Sequence, residues 1–366
     1  MTIRKGLTQE IAYKALQGFF QEKPFVLFGT GTSCAVHPDY GMPALSHYLE
    51  GQIKPCNLST EQQSQWDFVT SSLRQGKDLE SAMNDVTDND LITMIVNHTA
   101  DLIISLDKVH GRKILLSTSS WPALTLFRCI VNGLRHEETL HVATPNYDLL
   151  AEYAFEQADI PYSTGFVGGV CRRLNWPTAR LSMSCRERIQ RRGKIVGVTK
   201  CKRHIQLYKV HGSLNTFQFE NEIIENNAWM FDVPDGIKRQ MITPGTIKYE
   251  KLLENRSELL SAYDGELVKH NAFLFIGFGF NDKQLIEGSL MRKLIEQKCP
   301  ALIITHSSND RIEALSGKCE NLWLVCSKNH DGKTGTRIFN LRKGELFLDD
   351  VHLWDSKQFA ELILGG

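Results

Sequence analysis

Short apolar runs that stop abruptly at glycine-containing or polar turns set the rhythm of the chain. Phe25-Val-Leu-Phe28 stops at Gly29-Thr-Gly-Thr-Ser33, Leu140-His-Val-Ala-Thr144 at Pro145-Asn-Tyr-Asp148, and Ala272-Phe-Leu-Phe-Ile276 at Gly277-Phe-Gly-Phe-Asn-Asp282. Continuous β-rich runs of this kind predict buried parallel strands. Ala301-Leu-Ile-Ile-Thr305 reads as a further strand, and Ile205-Gln-Leu-Tyr-Lys-Val210 alternates as one before His211-Gly-Ser213. Thr216-Phe-Gln-Phe-Glu220 has the alternation of a hairpin. Helical stretches lie between. Thr8 caps a first helix whose apolar face is expected at Ile11, Leu16 and Phe19, and others are predicted near 121–134, 250–267 and 283–297. Residues 42–112 read as mostly helical, an insertion or cap with acidic positions at Asp78, Glu80, Asp85, Asp88 and Asp90, whereas 161–210 reads as largely irregular and basic. Strand and helix alternation predicts a doubly wound, mostly parallel, Rossmann-like α/β sheet covered on both faces, in a single domain over 1–366.

Composition narrows the function classes. The 366 residues carry 42 Lys+Arg and 42 Asp+Glu, so no global charge drives the chain onto nucleic acid or anionic lipid. The longest strongly apolar run, Ala272 to Phe280, is about half of what a membrane-spanning helix needs. The first residues lack the apolar stretch of a secretory signal, and a cytoplasmic location is expected. Nine scattered cysteines with no Cys-x-x-Cys pair argue against a disulfide framework and against structural zinc, so no metal is expected.

In an open parallel sheet, ligands bind beyond the carboxyl ends of the strands, where the polar turns collect here. Gly29-Thr30-Gly31-Thr32-Ser33 offers close backbone approach to an anion together with three hydroxyls. It lacks the third glycine of the dehydrogenase fingerprint and the lysine of a Walker A loop. Asn146 and Asp148 are the residue types that orient hydroxyls or a water, and either also suits a helix cap. His211 at a strand end can serve as a general base or as a structural histidine.

Taken in order, these segments resemble the sirtuin-like (silent information regulator) superfamily of NAD-consuming proteins. Gly29-Thr-Gly-Thr-Ser33 with Gly41-Met-Pro43 is similar to its Gly-Ala-Gly-x-Ser and Gly-Ile-Pro elements, and Thr144-Pro-Asn-Tyr-Asp148 to its Thr-x-Asn-x-Asp element. Leu207-Tyr-Lys-Val-His-Gly-Ser-Leu214 resembles the Lys-Leu-His-Gly-Ser segment that holds the family's histidine, and Ile276-Gly-Phe-Gly-Phe-Asn-Asp282 the Ile-Gly-Tyr-Ser-Phe-x-Asp segment. The resemblance implies NAD as substrate. It places Gly29, Thr30, Gly31, Thr32, Ser33, Pro43, Asn146, Gly277, Gly279 and Asn281 against NAD, with Asn146, His211 and Asp148 carrying the chemistry.

The departures from that family are as informative. Protein-deacylating sirtuins carry two Cys-x-x-Cys pairs for a zinc ribbon, and this chain has neither. In that place stands the basic segment 171–203, with eleven Lys/Arg against one acid, Glu187. Two readings of it stay open, a solvated loop and a contact for protein or nucleic acid. With no zinc ribbon, water is favoured over acyl-lysine as the acceptor, and the expected reaction is NAD glycohydrolysis. The resemblance further implies an anti-phage, NAD-depleting homo-oligomer that works with a partner such as a HerA-type hexameric ATPase. A zinc-less deacylase or ADP-ribosyltransferase, and a non-hydrolysing sensor or scaffold for NAD or ADP-ribose, are the alternatives.

Overall fold

The computed structural model describes residues 6–54, 56–75, 82–83, 86–191, 194–220, 222–241 and 250–366. Of the acidic stretch, Asp78, Glu80 and Asp85 lie outside the described residues, as does Arg192 of the basic segment.

The core is a nine-stranded sheet. Its strands are β1 (Phe25–Phe28), β2 (Thr139–Thr144), β3 (Tyr162–Ser163), β8 (His204–Lys209), β12 (Phe273–Ile276), β13 (Ala301–Thr305), β14 (Leu322–His330), β15 (Lys333–Asn340) and β16 (Gly344–Asp349). Their spatial order is β16-β15-β14-β13-β12-β1-β2-β8-β3. From β14 to β3 every pairing is parallel; β15 and β16 add an antiparallel edge. The expected mostly parallel α/β sheet is present. The period of two along each strand divides the apolar residues between its faces. Val26, Phe28, Val142, Leu274 and Ile276 join one apolar cluster, and Phe25, Leu27, Ala143, Phe273 and Phe275 join the other. Helices Met42–Ile53, Thr60–Arg74 and Asn89–Leu115, from the helical stretch, bury Leu49, Ile53, Val69 and Ile95 in the first cluster. Helix Glu250–Leu267 covers the second face through Tyr263 and Leu267.

Several details differ from the sequence-based expectation. Thr8 does cap the first helix, Gln9–Phe19, but Ile11 is 41% exposed, and the buried stripe is Ala12, Leu16 and Phe19. The i, i+4, i+7 spacing of those three fits a helix better than the spacing from Ile11. Residues 204–209 are buried throughout rather than alternating, because β8 lies inside the sheet with helices on both faces. The expected helix 283–297 is broken. Gly288, at φ 99°, separates Lys283–Ile286 from Ser289–Met291, and a π-turn follows over Arg292–Glu296.

The basic stretch is more ordered than its composition suggests. β4 (Phe166–Gly168) and β5 (Arg172–Leu174) join a second, antiparallel sheet with β9 (Gly212–Phe219), β10 (Glu222–Glu225) and β11 (Lys238–Met241). β6 (Ser184–Arg191) and β7 (Lys194–Cys201) form a separate two-stranded ribbon, paired from Ser184 with Cys201 to Arg191 with Lys194. The described side chains of this ribbon are exposed or half-exposed, Ile195 at 75%, so burial imposes no apolar period on it. Nothing in the alternation of residue types could therefore announce it.

Candidate active site

The strand order fixes where a ligand would lie. After β1 the chain builds β2 and β8 on one side, and β12 to β14 on the other, so the switch point falls between β1 and β12. The crevice beyond the carboxyl ends of these strands is the binding place of doubly wound sheets. The turns after β1, β2, β8 and β12 all converge there.

The β1 and β12 turns interlock through glycine. The Gly31 amide donates to the Gly277 carbonyl at 2.9 Å and the Gly29 amide to Ile276 at 3.0 Å. A Cβ on Gly31 would stand 2.7 Å from Gly277 Cα, and one on Gly277 would stand 2.8 Å from the Gly31 carbonyl carbon and the Thr32 nitrogen. Gly277 is also left-handed, at φ 55°. Two backbones therefore touch with no side chain between them, and the floor of the crevice is peptide. The Thr32 and Ser33 amides donate to Gly29 and Thr30 carbonyls, and Thr32 Oγ1 donates to the Gly29 carbonyl at 2.9 Å. What the glycines contribute is thus mainly shape.

On the other wall, Ser33 links the two turns. Its hydroxyl donates to Asp148 Oδ2 at 2.7 Å and accepts from Asn146 Nδ2 at 3.0 Å. Because the serine proton goes to the carboxylate, the asparagine must present its NH2 to Ser33, which fixes the amide orientation. Asn146 is only 6% exposed, and its Oδ1 has no hydrogen-bond partner among the described residues. A buried acceptor left unpaired costs about 1–3 kcal/mol unless something donates to it, so the crevice presents one acceptor made ready for a hydroxyl or a water.

The rest of this turn is held from behind. Lys209, buried on β8, donates to the Asp148 carbonyl at 2.5 Å and pairs with Glu152 at 3.0 Å. The Leu214 amide donates to the Tyr147 carbonyl at 3.0 Å, joining the turn after β2 to the start of β9. Asp107, from helix Asn89–Leu115, accepts from the Leu149 amide and from Tyr40 Oη, both at 2.8 Å. Burial, and next the charge of Asp148, push the Asp107 carboxyl up to about 8. A carboxyl raised in the folded state stabilises fully below its unfolded range near 4, and that stabilisation is lost as pH rises through about 8. Asp107→Asn mimics the protonated carboxyl, with Oδ1 toward the Leu149 amide and its NH2 toward the Tyr40 oxygen. It should lie within about 1 kcal/mol of wild type at pH 5 and gain on wild type as pH rises toward 8, where the native carboxyl loses its contribution. Denaturant titrations across that range check the change in the gap.

His211 follows β8. Its Nε2 lies 2.8 Å from Asp282 Oδ2, in the turn after β12. The two are not aligned as a hydrogen bond, but the carboxylate charge favours a proton on the facing Nε2, which leaves Nδ1 as the lone-pair nitrogen. The next residue, Gly212, has φ 74°, and a Cβ there would sit 1.9 Å from the Gln240 carbonyl oxygen. Only glycine therefore lets the chain turn at His211 into the second sheet. The Gly277–Asp282 segment is braced by Asn309, which donates to the Gly279 carbonyl at 2.9 Å, and by Arg311, which donates to the Asn281 carbonyl at 2.7 Å. A cavity of about 470 Å³ opens beside the interlocked glycines, lined by residues including Gly31, Gly277, Thr305, Ser307, Trp354 and Ser356.

The structure thus gathers Gly29, Thr30, Gly31, Thr32, Ser33, Asn146, Asp148, Gly277 and His211 around one crevice. Gly279 lies on the same loop; Asn281 beside it and Pro43, at the start of helix Met42–Ile53, are exposed at the margins. Asp282, Asp107, Tyr40 and Lys209 were not singled out as site residues. Asp282 ends the quoted Gly277–Asp282 segment and was legible there. Tyr40 and Asp107 are brought together across 67 positions, and no local pattern signals that.

Residues 140–315 match a family model described as SIR2-like domain, which supports a sirtuin-like fold and, in general, NAD-dependent activity. The match takes in Asn146, His211 and Gly277; Gly29–Ser33 lies outside it and is joined to it by the fold. A search of curated proteins gives no match.

Proposed function

We propose that the chain is an NAD glycohydrolase, cleaving NAD and water to ADP-ribose and nicotinamide. The observation that carries this reading is the unpaired, buried Asn146 Oδ1 beside the Ser33–Asp148 pair. Breaking the N-glycosidic bond sends the bonding electrons to nicotinamide and leaves oxocarbenium character on the ribose, which water then attacks. Asn146 Oδ1 would accept from the attacking water or a ribose hydroxyl, and Asp148 holds Ser33, and through it the asparagine amide, in place. His211, through Nδ1, would take the proton that the water or hydroxyl loses, with Asp282 steadying the imidazole. The glycine floor admits the pyrophosphate at close range, and the cavity beside it suits the adenosine half.

The direct test is to incubate the purified chain with NAD and to follow nicotinamide and ADP-ribose by chromatography. Nicotinamide released without ADP-ribose, in the presence of an acylated or acceptor protein, would favour a deacylase or transferase instead. Bound, uncleaved NAD would favour a sensor. Asp282→Asn keeps the shape and removes the charge, and should lower turnover about 10- to 100-fold.

The anti-phage role, self-association and a HerA-type ATPase partner rest on the resemblance described above, and the basic ribbon is the surface we assign to assembly. Reversing Arg188, Arg191 and Arg192 together should shift the protein to smaller species in sizing chromatography, or abolish partner-dependent activation, while leaving basal turnover close to wild type. Assembly and activation identical to wild type would leave the segment a solvated ribbon.

A further inference from the structure

At the opposite end of the parallel strands, away from the crevice, His141, Glu266 and His270 each bring a potential ligand atom within 4.8 Å of the other two. His141 stands on β2, Glu266 near the end of helix Glu250–Leu267, and His270 in the link to β12. We propose that these three side chains form a binding site for one divalent transition-metal ion, with zinc the best match and a water completing four-coordination. This inference is independent of the reaction proposed for the crevice.

The geometry supports it in three ways. First, His141 Nε2 and Glu266 Oε1 are 3.5 Å apart. Two ligands on bonds of about 2.1 Å at a tetrahedral angle stand about 3.4 Å apart, whereas 3.5 Å is long for a direct hydrogen bond. Second, both imidazoles are anchored through the other nitrogen. His270 Nδ1 lies 3.0 Å from the Glu266 carbonyl oxygen, which can only accept, so the proton sits on Nδ1 and Nε2 keeps its lone pair. His141 Nδ1 lies 3.0 Å from Tyr208 Oη, the kind of outer contact that fixes the orientation of a ligating imidazole. Third, Lys269 binds Glu266 Oε2 at 2.8 Å and leaves Oε1 turned toward His141.

Burial drives the His141 imidazole down to about 4, so it is neutral at physiological pH, and Lys269 holds Glu266 below the usual carboxylate range against the opposing effect of its burial. Two imidazoles and one carboxylate suit zinc and its neighbours in the transition series and are a poor set for magnesium or calcium. A bound ion would tie the end of helix Glu250–Leu267 and the entry to β12 directly to β2.

The test uses the full chain, stripped with a chelator and titrated with zinc chloride by calorimetry. Cobalt(II) absorption then reports coordination number. Circular dichroism confirms folding of His270→Gln and Glu266→Gln, which change one half-exposed and one buried ligand. The expected result is one zinc per wild-type chain, four-coordinate cobalt bands, a rise in Tm on metal addition, and affinity at least about 10-fold weaker in each variant. Either of two results overturns the proposal. One is no zinc uptake by wild type at micromolar metal. The other is uptake equally tight in folded His270→Gln or Glu266→Gln, which would place the metal on thiols elsewhere.

Discussion

Replacing Asn146 with Ala is expected to lower NAD turnover by at least about 100-fold while leaving the protein folded. Among the described residues the side chain makes one hydrogen bond, from Nδ2 to Ser33, and offers a buried Oδ1 to the crevice. Removing it deletes an unpaired buried acceptor, so the folded state loses little. Reaction geometry loses the group that would aim the nucleophile, and positioning and proton-transfer groups contribute on this scale. Nicotinamide release measured beside thermal unfolding separates the two effects. A folded Asn146→Ala protein that retains turnover would sink the assignment. An unfolded one would mean that the turn after β2 depends on Asn146 as a structural link.

Gly277→Ala is expected to cost about 2–4 kcal/mol and to abolish NAD binding. The added methyl would meet Gly31 and Thr32 backbone atoms at 2.8–2.9 Å, and the residue would also hold an unfavourable left-handed conformation. Neither contact can give way by a side-chain rotation. The β1 and β12 turns would have to part, and the crevice floor with them. Gly279→Ala is the control on the same loop. Its Cβ would meet nothing closer than Asn281 Nδ2 at 3.4 Å, and stability near wild type is expected. Denaturant midpoints and NAD-induced shifts of Tm for both variants provide the measurement.

Legibility in the sequence follows how local each signal is. Buried parallel strands were readable because their residues, such as Phe25–Phe28 and Ala301–Thr305, are apolar on both faces, and the turns after them were readable because they break that pattern. The site was legible to the extent that its residues sit in those turns. Asn146, Asp148, His211 and the two glycine-bearing segments are there, whereas Tyr40, Asp107 and Lys209 act through contacts that only the assembled fold creates. The metal-binding candidates show the same limit. His141, Glu266 and His270 have no recognisable ligand spacing, since β2 meets the helix end only when the sheet is complete. The ribbon at 184–201 was hidden for another reason, that residues exposed on both sides of a strand follow no period.

That ribbon leaves and re-enters the body of the protein at nearly the same point. The Lys202 amide donates to the Met183 carbonyl at 2.7 Å, so its two stems already meet. The segment is therefore excisable. Joining Met183 to Lys202 through a tight turn of two residues would remove residues 184–201 while leaving the helix before it, Trp176–Ser182, and β8 after it in place. In such a shortened chain the positive charge and the crevice become separately adjustable parts.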